Sequence, residues 1–252
     1  MLLRDALGVT RGEMVSLIGA GGKTTTLFRL AKELRDLGGK VMVTTTTKIF
    51  KPTKPHIDRL FIVDDVQALV DVCAEIAPPA IIGAGCAVDG DGKLLGMPTP
   101  WLDRLNQDGG FDAILVEADG AASRFLNIPS DKEPLIPESC QATVWIVAIK
   151  ILGKPLTDEW VHRAARARDL LGLPAEARIN EEVLLQLLQH KNGCLKGIPI
   201  ASRKLALINQ ADSAAEMAAA QALGEKLHEL NFAKVVITSY ASAEPIIRGI
   251  AD

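Results

Sequence analysis

MVSLIGAGGKTTTLFRL, Met14 to Leu30, decides the fold: an apolar run feeds a glycine-rich turn, and the turn opens a helix. Val15, Leu17 and Ile18 read as a buried strand. The backbone of Gly19, Ala20, Gly21 and Gly22 can then pass close to an anion with several N–H groups turned inward. A helix starting at Thr24 adds partial positive charge and unpaired donors at its amino end. Lys23 reaches the outer phosphates of a nucleotide, the Thr24 hydroxyl completes a magnesium shell, and Thr25 belongs to the same cradle. The pattern is the shorter G-x-x-G-K-T-T, because Leu17 stands where the full G-x-x-x-x-G-K-[ST] has its first glycine. A plain strand-to-helix turn is the alternative, and the strand before and helix after favour the phosphate loop.

The helix carries Leu27, Leu30, Ala31 and Leu34 at helical spacing and stops at Gly38-Gly39. A second strand, Lys40 to Thr44, runs into Thr44-Thr45-Thr46-Thr47-Lys48. Carboxyl ends of parallel strands face the ligand crevice, which puts Lys48 among the candidate phosphate contacts, while the threonines serve equally well as strand formers. Further on, Phe111 to Gly120 (FDAILVEADG) delivers Glu117 and Asp119 at the end of a buried strand. Carboxylates there are costly unless solvated or paired with a cation, and beside a phosphate loop that cation is magnesium. Leu205 to Ile208 is another buried strand, ending in Asn209-Gln210-Ala211-Asp212. An Asp in N-[KQ]-x-D can accept two hydrogen bonds from guanine that adenine cannot supply, with Asn209 bracing the neighbouring loop. The competing reading of Asn209 and Asp212 is a helix cap. Ser239 to Ser242, after the last strand, offers a second contact to the base.

Between these signals, residues 80 to 97 read as a β-rich insertion, with a hairpin turn at Asp89-Gly90-Asp91-Gly92. Residues 121 to 140 form a long irregular segment holding Arg124 and Lys132, of the kind that serves as a lid or binding loop. Asp158 to Leu171 and Glu181 to His190 read as helices, with His162 and Arg163 on the first.

The chain has 252 residues, is 48% hydrophobic, and carries 28 Lys and Arg against 31 Asp and Glu, for a net charge of −3. Its basic residues are scattered, so nucleic acid is not an expected partner. Cys73, Cys86, Cys140 and Cys194 form no C-x-x-C pair and suggest neither disulfides nor zinc. No apolar run is long enough to span a bilayer, and charges at Arg4 and Asp5 interrupt any signal-peptide core, so a cytoplasmic protein is expected.

The ordered set GAGGKTT (Gly19 to Thr25), TTTTKI (Thr44 to Ile49), VEADGA (Val116 to Ala121), EPLIP (Glu133 to Pro137), LGKPL (Leu152 to Leu156), VHR (Val161 to Arg163) and INQAD (Ile208 to Asp212) resembles the selenium-dependent hydroxylase accessory protein YqeC family over nearly the whole chain. That resemblance implies a nucleotide-binding accessory to selenium-dependent molybdenum hydroxylases, with the hydroxylase or its cofactor-maturation machinery as partner. Glu117 to Gly120 also looks like the E-x-x-G of GTPases that insert metals into hydrogenase and urease, and that likeness extends to Asn209 and Asp212 as guanine readers. Gln210, where those proteins carry Lys, is a departure.

The expectation is therefore an α/β, P-loop NTPase-like fold: one nucleotide-binding domain over residues 1–252, with a mostly parallel sheet, helices on both faces and the small insertion. Its expected ligands are GTP, weakly favoured over ATP, and magnesium. Lys23, Glu117 and Asp119 are the catalytic candidates. Gly19 to Thr25, Lys48, Asn209 and Asp212 are the nucleotide-binding candidates, and Thr24, Glu117 and Asp119 the magnesium-binding ones. A ligase or kinase whose acceptor lies at Arg124 and Lys132, and a binding module with little turnover, are the rivals; a homo-oligomer is compatible with all three.

Overall fold

The computed structural model describes residues 1–241 and 246–250. From the amino end the elements are α1 (Leu3–Leu7), β1 (Glu13–Gly19), α2 (Lys23–Asp36), β2 (Lys40–Thr45), β3 (Lys48–Phe50), β4 (Arg59–Ile62), α3 (Val66–Ala74), β5 (Ala80–Gly85), β6 (Ala87–Val88), β7 (Lys93–Leu95) and α4 (Thr99–Asp108). Then follow β8 (Ala113–Glu117), β9 (Leu126–Asn127), β10 (Ala142–Ala148), β11 (Val161–His162), α5 (Ala164–Leu171), α6 (Glu181–Gln189), β12 (Arg203–Asn209), α7 (Ala214–Glu229), β13 (Lys234–Ser239) and β14 (Ile246–Gly249). Nine strands form one sheet in the order β14-β13-β12-β10-β1-β8-β2-β5-β4, parallel throughout except for β14.

Alternation along the central strands explains why both faces are covered. In β1, Met14 and Ile18 enter one apolar cluster and Val15 and Leu17 the other; β8 and β10 divide the same way, Ile114 and Trp145 against Leu115 and Val144. A strand with no polar face must be buried on both sides, as parallel strands are. On one side α1 and α2 supply Leu3, Leu7, Leu27, Leu30 and Leu34. On the other, α3, α4, α6 and α7 supply Leu69, Leu102, Leu187 and Leu223. The fold is α/β, with a large, mostly parallel sheet flanked by helices and a small antiparallel sheet, consistent with a P-loop NTPase-like fold.

Two expectations need correction. Residues 80–97 are not one insertion: β5 pairs in parallel with both β2 and β4 inside the large sheet, because Ala80 to Gly85 is buried on both faces. The small sheet is β3-β7-β6, so it takes its third strand from Lys48–Phe50. Nor do His162 and Arg163 lie within a helix. Val161–His162 pairs with Leu126–Asn127, and α5 begins only at Ala164, whose N–H donates to Asp158 Oδ1 at 3.0 Å. Backbone bonds from Phe125 N–H to Trp160 and from Ile128 N–H to His162 hold that segment extended against the loop.

Candidate functional site

β1 ends and α2 begins through the glycine turn. Gly19 has φ +91°, and a Cβ there would lie 2.2 Å from the Ile146 carbonyl oxygen of β10; Gly22 has φ +145°, and its Cβ would meet Asn209 Nδ2 at 2.3 Å. Only glycine fits either position. Among the described residues no side chain caps the amino end of α2, so the first-turn N–H groups keep their capacity for an anion.

Carboxylates and cation meet directly beneath this turn. Lys23 is 4% exposed, and its Nζ donates to the Gly19 carbonyl at 2.7 Å, lies 2.8 Å from Asp119 Oδ1 and 3.7 Å from Glu117 Oε1. Asp119 Oδ2 accepts from Gly19 N–H at 2.8 Å and from Asn127 Nδ2 at 2.7 Å. Apart from the Lys23 ion pair, Asp119 Oδ1 has no hydrogen-bond partner among the described residues. Glu117 Oε2 accepts from the Thr24 hydroxyl at 3.0 Å. Burial pushes the Glu117 carboxyl above its ordinary range, against the opposing pull of Lys23 and the Thr24 bond. The cleft over the loop, about 1070 Å³, is lined by Glu117 and by Ala20 to Thr25 but not by Asp119. The two carboxylates thus differ: Glu117 faces the cleft, and Asp119 lies behind, tying Lys23 and the turn to β8.

Asn127 and Arg163 complete this network. Arg163 Nη1 donates to Asn127 Oδ1 at 3.2 Å and to the Ile128 carbonyl at 3.1 Å, and its Nη2 pairs with Glu133. Its backbone is left-handed, φ +66°, as are Ala122 (φ +46°) and Ser123 (φ +59°) on the same wall. Such non-glycine positions cost roughly 1–3 kcal/mol each and gather where the surrounding structure imposes them, often at functional sites. His162 also lines the cleft, and burial lowers its pKa. Sequence reading left Asn127 unremarked, although a buried polar residue between Leu126 and Ile128 is the kind of signal that marks an internal hydrogen-bond role.

The other candidates fall in different places. Lys48 lines the cleft, but its ammonium pairs with Asp89 at 3.2 Å. The hydroxyls of Thr44, Thr45 and Thr46 donate to the carbonyls of Ala84, Glu117 and Leu135, the role of sheet-end anchors. Asn209 lies behind the turn: its Nδ2 donates to the Gly21 carbonyl at 2.7 Å, and its Oδ1 accepts from Thr238. Gln210, at φ +63°, also reaches the Gly21 carbonyl. Asp212 sits apart from the cleft wall, its Oδ2 2.5 Å from Lys150 Nζ and its Oδ1 accepting from Ser239 at 2.6 Å. These partners hold its carboxyl below the usual range. Neither Asn209 nor Asp212 caps the helix; Ser213 does, in a capping box with Glu216. Of Ser239 to Ser242, Ser239 ends β13, Tyr240 and Ala241 are described, and Ser242 lies outside the described residues.

The oxygen donors gathered at the loop, the Thr24 hydroxyl and the Glu117 carboxylate with Asp119 behind them, suit magnesium, which takes one or two carboxylates and completes its shell with water and phosphate. Among the described residues no helix is long and apolar enough to cross a membrane.

A family model described as YqeC protein matches residues 15–165, from β1 through the start of α5. The chain is 34% identical over 209 residues to the Escherichia coli protein named "Uncharacterized protein YqeC", a match covering 83% of this chain and 80% of that protein. On both the extent of the family match and this identity, the chain belongs to the YqeC family.

Proposed function

We propose that this protein is a magnesium-dependent nucleotide-binding NTPase that favours GTP over ATP and serves, in the cytoplasm, the maturation of a selenium-dependent molybdenum hydroxylase. The observation that carries the nucleotide reading is the convergence at one cleft of the Lys23 ammonium, the Thr24 hydroxyl, the Glu117 carboxylate and the uncapped start of α2. The maturation role rests on the resemblance of the ordered motifs.

Each residue then has a task. The amides of Gly21 to Thr25 and the Lys23 ammonium bind the phosphates, those of Gly19 and Ala20 being held by Asp119 and the Ile146 carbonyl, with Lys48 at the cleft rim. Thr24 and Glu117 would hold magnesium, which supplies neutralisation of charge on the β- and γ-phosphate oxygens. Glu117 also faces the space in which an attacking water must be oriented, and Asp119 aims Lys23. Asn209 braces the loop, and Asp212 offers two ionised acceptor oxygens for a guanine edge in place of Lys150 and Ser239.

Phosphate release from GTP and ATP by wild type and Glu117→Gln tests the reading. Turnover should fall roughly 10²- to 10⁴-fold in the variant, with nucleotide affinity changed much less, because the lost interaction strengthens toward the transition state. Equal turnover in both would remove Glu117 from catalysis. Tight binding with negligible turnover in both would make the chain a nucleotide-dependent binding module.

A further inference from the structure

The cleft is larger and more basic than a single nucleotide tail requires. Its volume, about 1070 Å³, stands at the upper end of the roughly 300–1,000 Å³ of a small-molecule site. The chain as a whole is acidic, at −3, yet the charged residues lining the cleft are six cations (Lys23, Lys48, Lys93, Arg124, Lys132 and Arg163) against two carboxylates, Glu117 and Glu133. Three of the six are neutralised: Lys23 by Asp119 and Glu117, Arg163 by Glu133 and Lys48 by Asp89. Among the described residues the other three have no carboxylate partner. Arg124 donates only to the carbonyls of Asp158 and Ala122, Lys93 lies 5.6 Å from the centre of the Phe50 ring, and Lys132 is exposed. Unpaired cations in a concave wall focus positive potential into it.

Apolar surface lines the same cleft. Phe50 is 73% exposed and Leu135 is 42% exposed, and both line the cleft. A ring left open to water beside a cation offers a stacking platform.

We propose that this wall is a second ligand site, which takes a small oxyanion with a planar apolar body, its anionic group on Arg124 and Lys132 and its ring on Phe50, bound together with the nucleotide. Joint binding rests on the nucleotide reading, whereas the site itself uses none of the phosphate-loop residues. A phosphomonoester and a carboxylate share the required chemistry, so both serve as probes.

The test is calorimetric titration of the full chain with phenyl phosphate, benzoate and inorganic phosphate, each with and without saturating magnesium GDP, whose own binding is measured first. The proposal expects phenyl phosphate or benzoate to bind the nucleotide-loaded chain in the millimolar range or tighter. Arg124→Ala/Lys132→Ala should weaken that binding about ten- to a hundredfold. Phe50→Ala should weaken the two aromatic probes but not inorganic phosphate. Preference between the aromatic probes identifies the anionic group. No binding at about 10 mM, binding indifferent to Arg124→Ala/Lys132→Ala, or one-for-one displacement by GDP would each overturn it. Failure of GDP itself to bind refutes the nucleotide reading instead, and the same variants on the free chain then decide the second site.

Discussion

Replacing Lys23 by Met keeps the length of the side chain and removes its charge. In the wild type the ammonium is the cation for Asp119, at 2.8 Å, and for Glu117, at 3.7 Å, with both Lys23 and Asp119 almost fully buried. Without it, Asp119 keeps only the Gly19 N–H and the Asn127 amide, both on Oδ2, and Oδ1 is left with nothing. Removing one partner of a buried ion pair costs about 3–5 kcal/mol, since the stranded charge retains its desolvation penalty. That is a large share of a total stability of about 5–15 kcal/mol. For a chain of this size it corresponds to a fall in Tm of roughly 6–20 °C. Lys23→Met/Asp119→Asn, which strands one charge fewer, should recover a substantial part of the loss. Urea unfolding of nucleotide-free protein at neutral pH measures both. A Lys23→Met variant as stable as wild type to within about 0.5 kcal/mol would refute the argument, because the three groups would then not be coupled in the folded state.

Three other perturbations have defined outcomes. Asn127→Leu removes one charge-assisted bond to Asp119 and should cost about 1.5–3 kcal/mol in unfolding free energy; an unchanged value would make that bond incidental. Burial raises the Glu117 carboxyl, so its stabilising contribution is fully present below its unfolded value and is lost as pH rises through the higher folded one. Glu117→Gln should therefore gain in Tm relative to wild type as pH rises above the ordinary carboxylate range, and a pH-independent difference in thermal melts would contradict this. If Asp212 reads guanine, GDP should bind about ten- to a hundredfold more tightly than ADP, and Asp212→Asn should erase the difference; equal affinities in competition binding would leave Asp212 as the partner of Lys150 and Ser239 alone.

What the sequence discloses is mostly local. The run into GAGGKTT, the buried strand ending at Glu117 and the strand before Asn209 each carry period and turn chemistry within a dozen residues, and β1, α2, β8, β12 and α7 follow from them. The split of labour between Glu117 and Asp119 is not local, since Asp119 meets Gly19 and Lys23 about a hundred positions away. The same holds for Asn127 and Arg163, whose meeting depends on a two-residue parallel pairing that leaves no periodic trace. The Val161–His162 segment lies directly before a true helix, and its extended state is imposed by backbone bonds to the loop at 125–128. Residues 80 to 97 misled in another way: they read as one β-rich insertion, yet Ala80–Gly85 is a buried strand of the large sheet, with the side chains of Leu60 and Leu94 closing over Gly83 and Gly85. Sequence reading also placed no strand at Ile246–Gly249, which pairs antiparallel to β13 at the sheet edge.

The central claim is that the turn between β1 and α2, with Glu117 facing it, holds a magnesium nucleotide. Calorimetric titration of the nucleotide-free full chain with GTP and ATP, each with and without magnesium, measures this directly. The account predicts one nucleotide per chain, with triphosphate affinity strengthened by magnesium in wild type and less strengthened by it in Glu117→Gln. No binding of either triphosphate at about millimolar concentration, or binding that magnesium does not change in wild type, would contradict it.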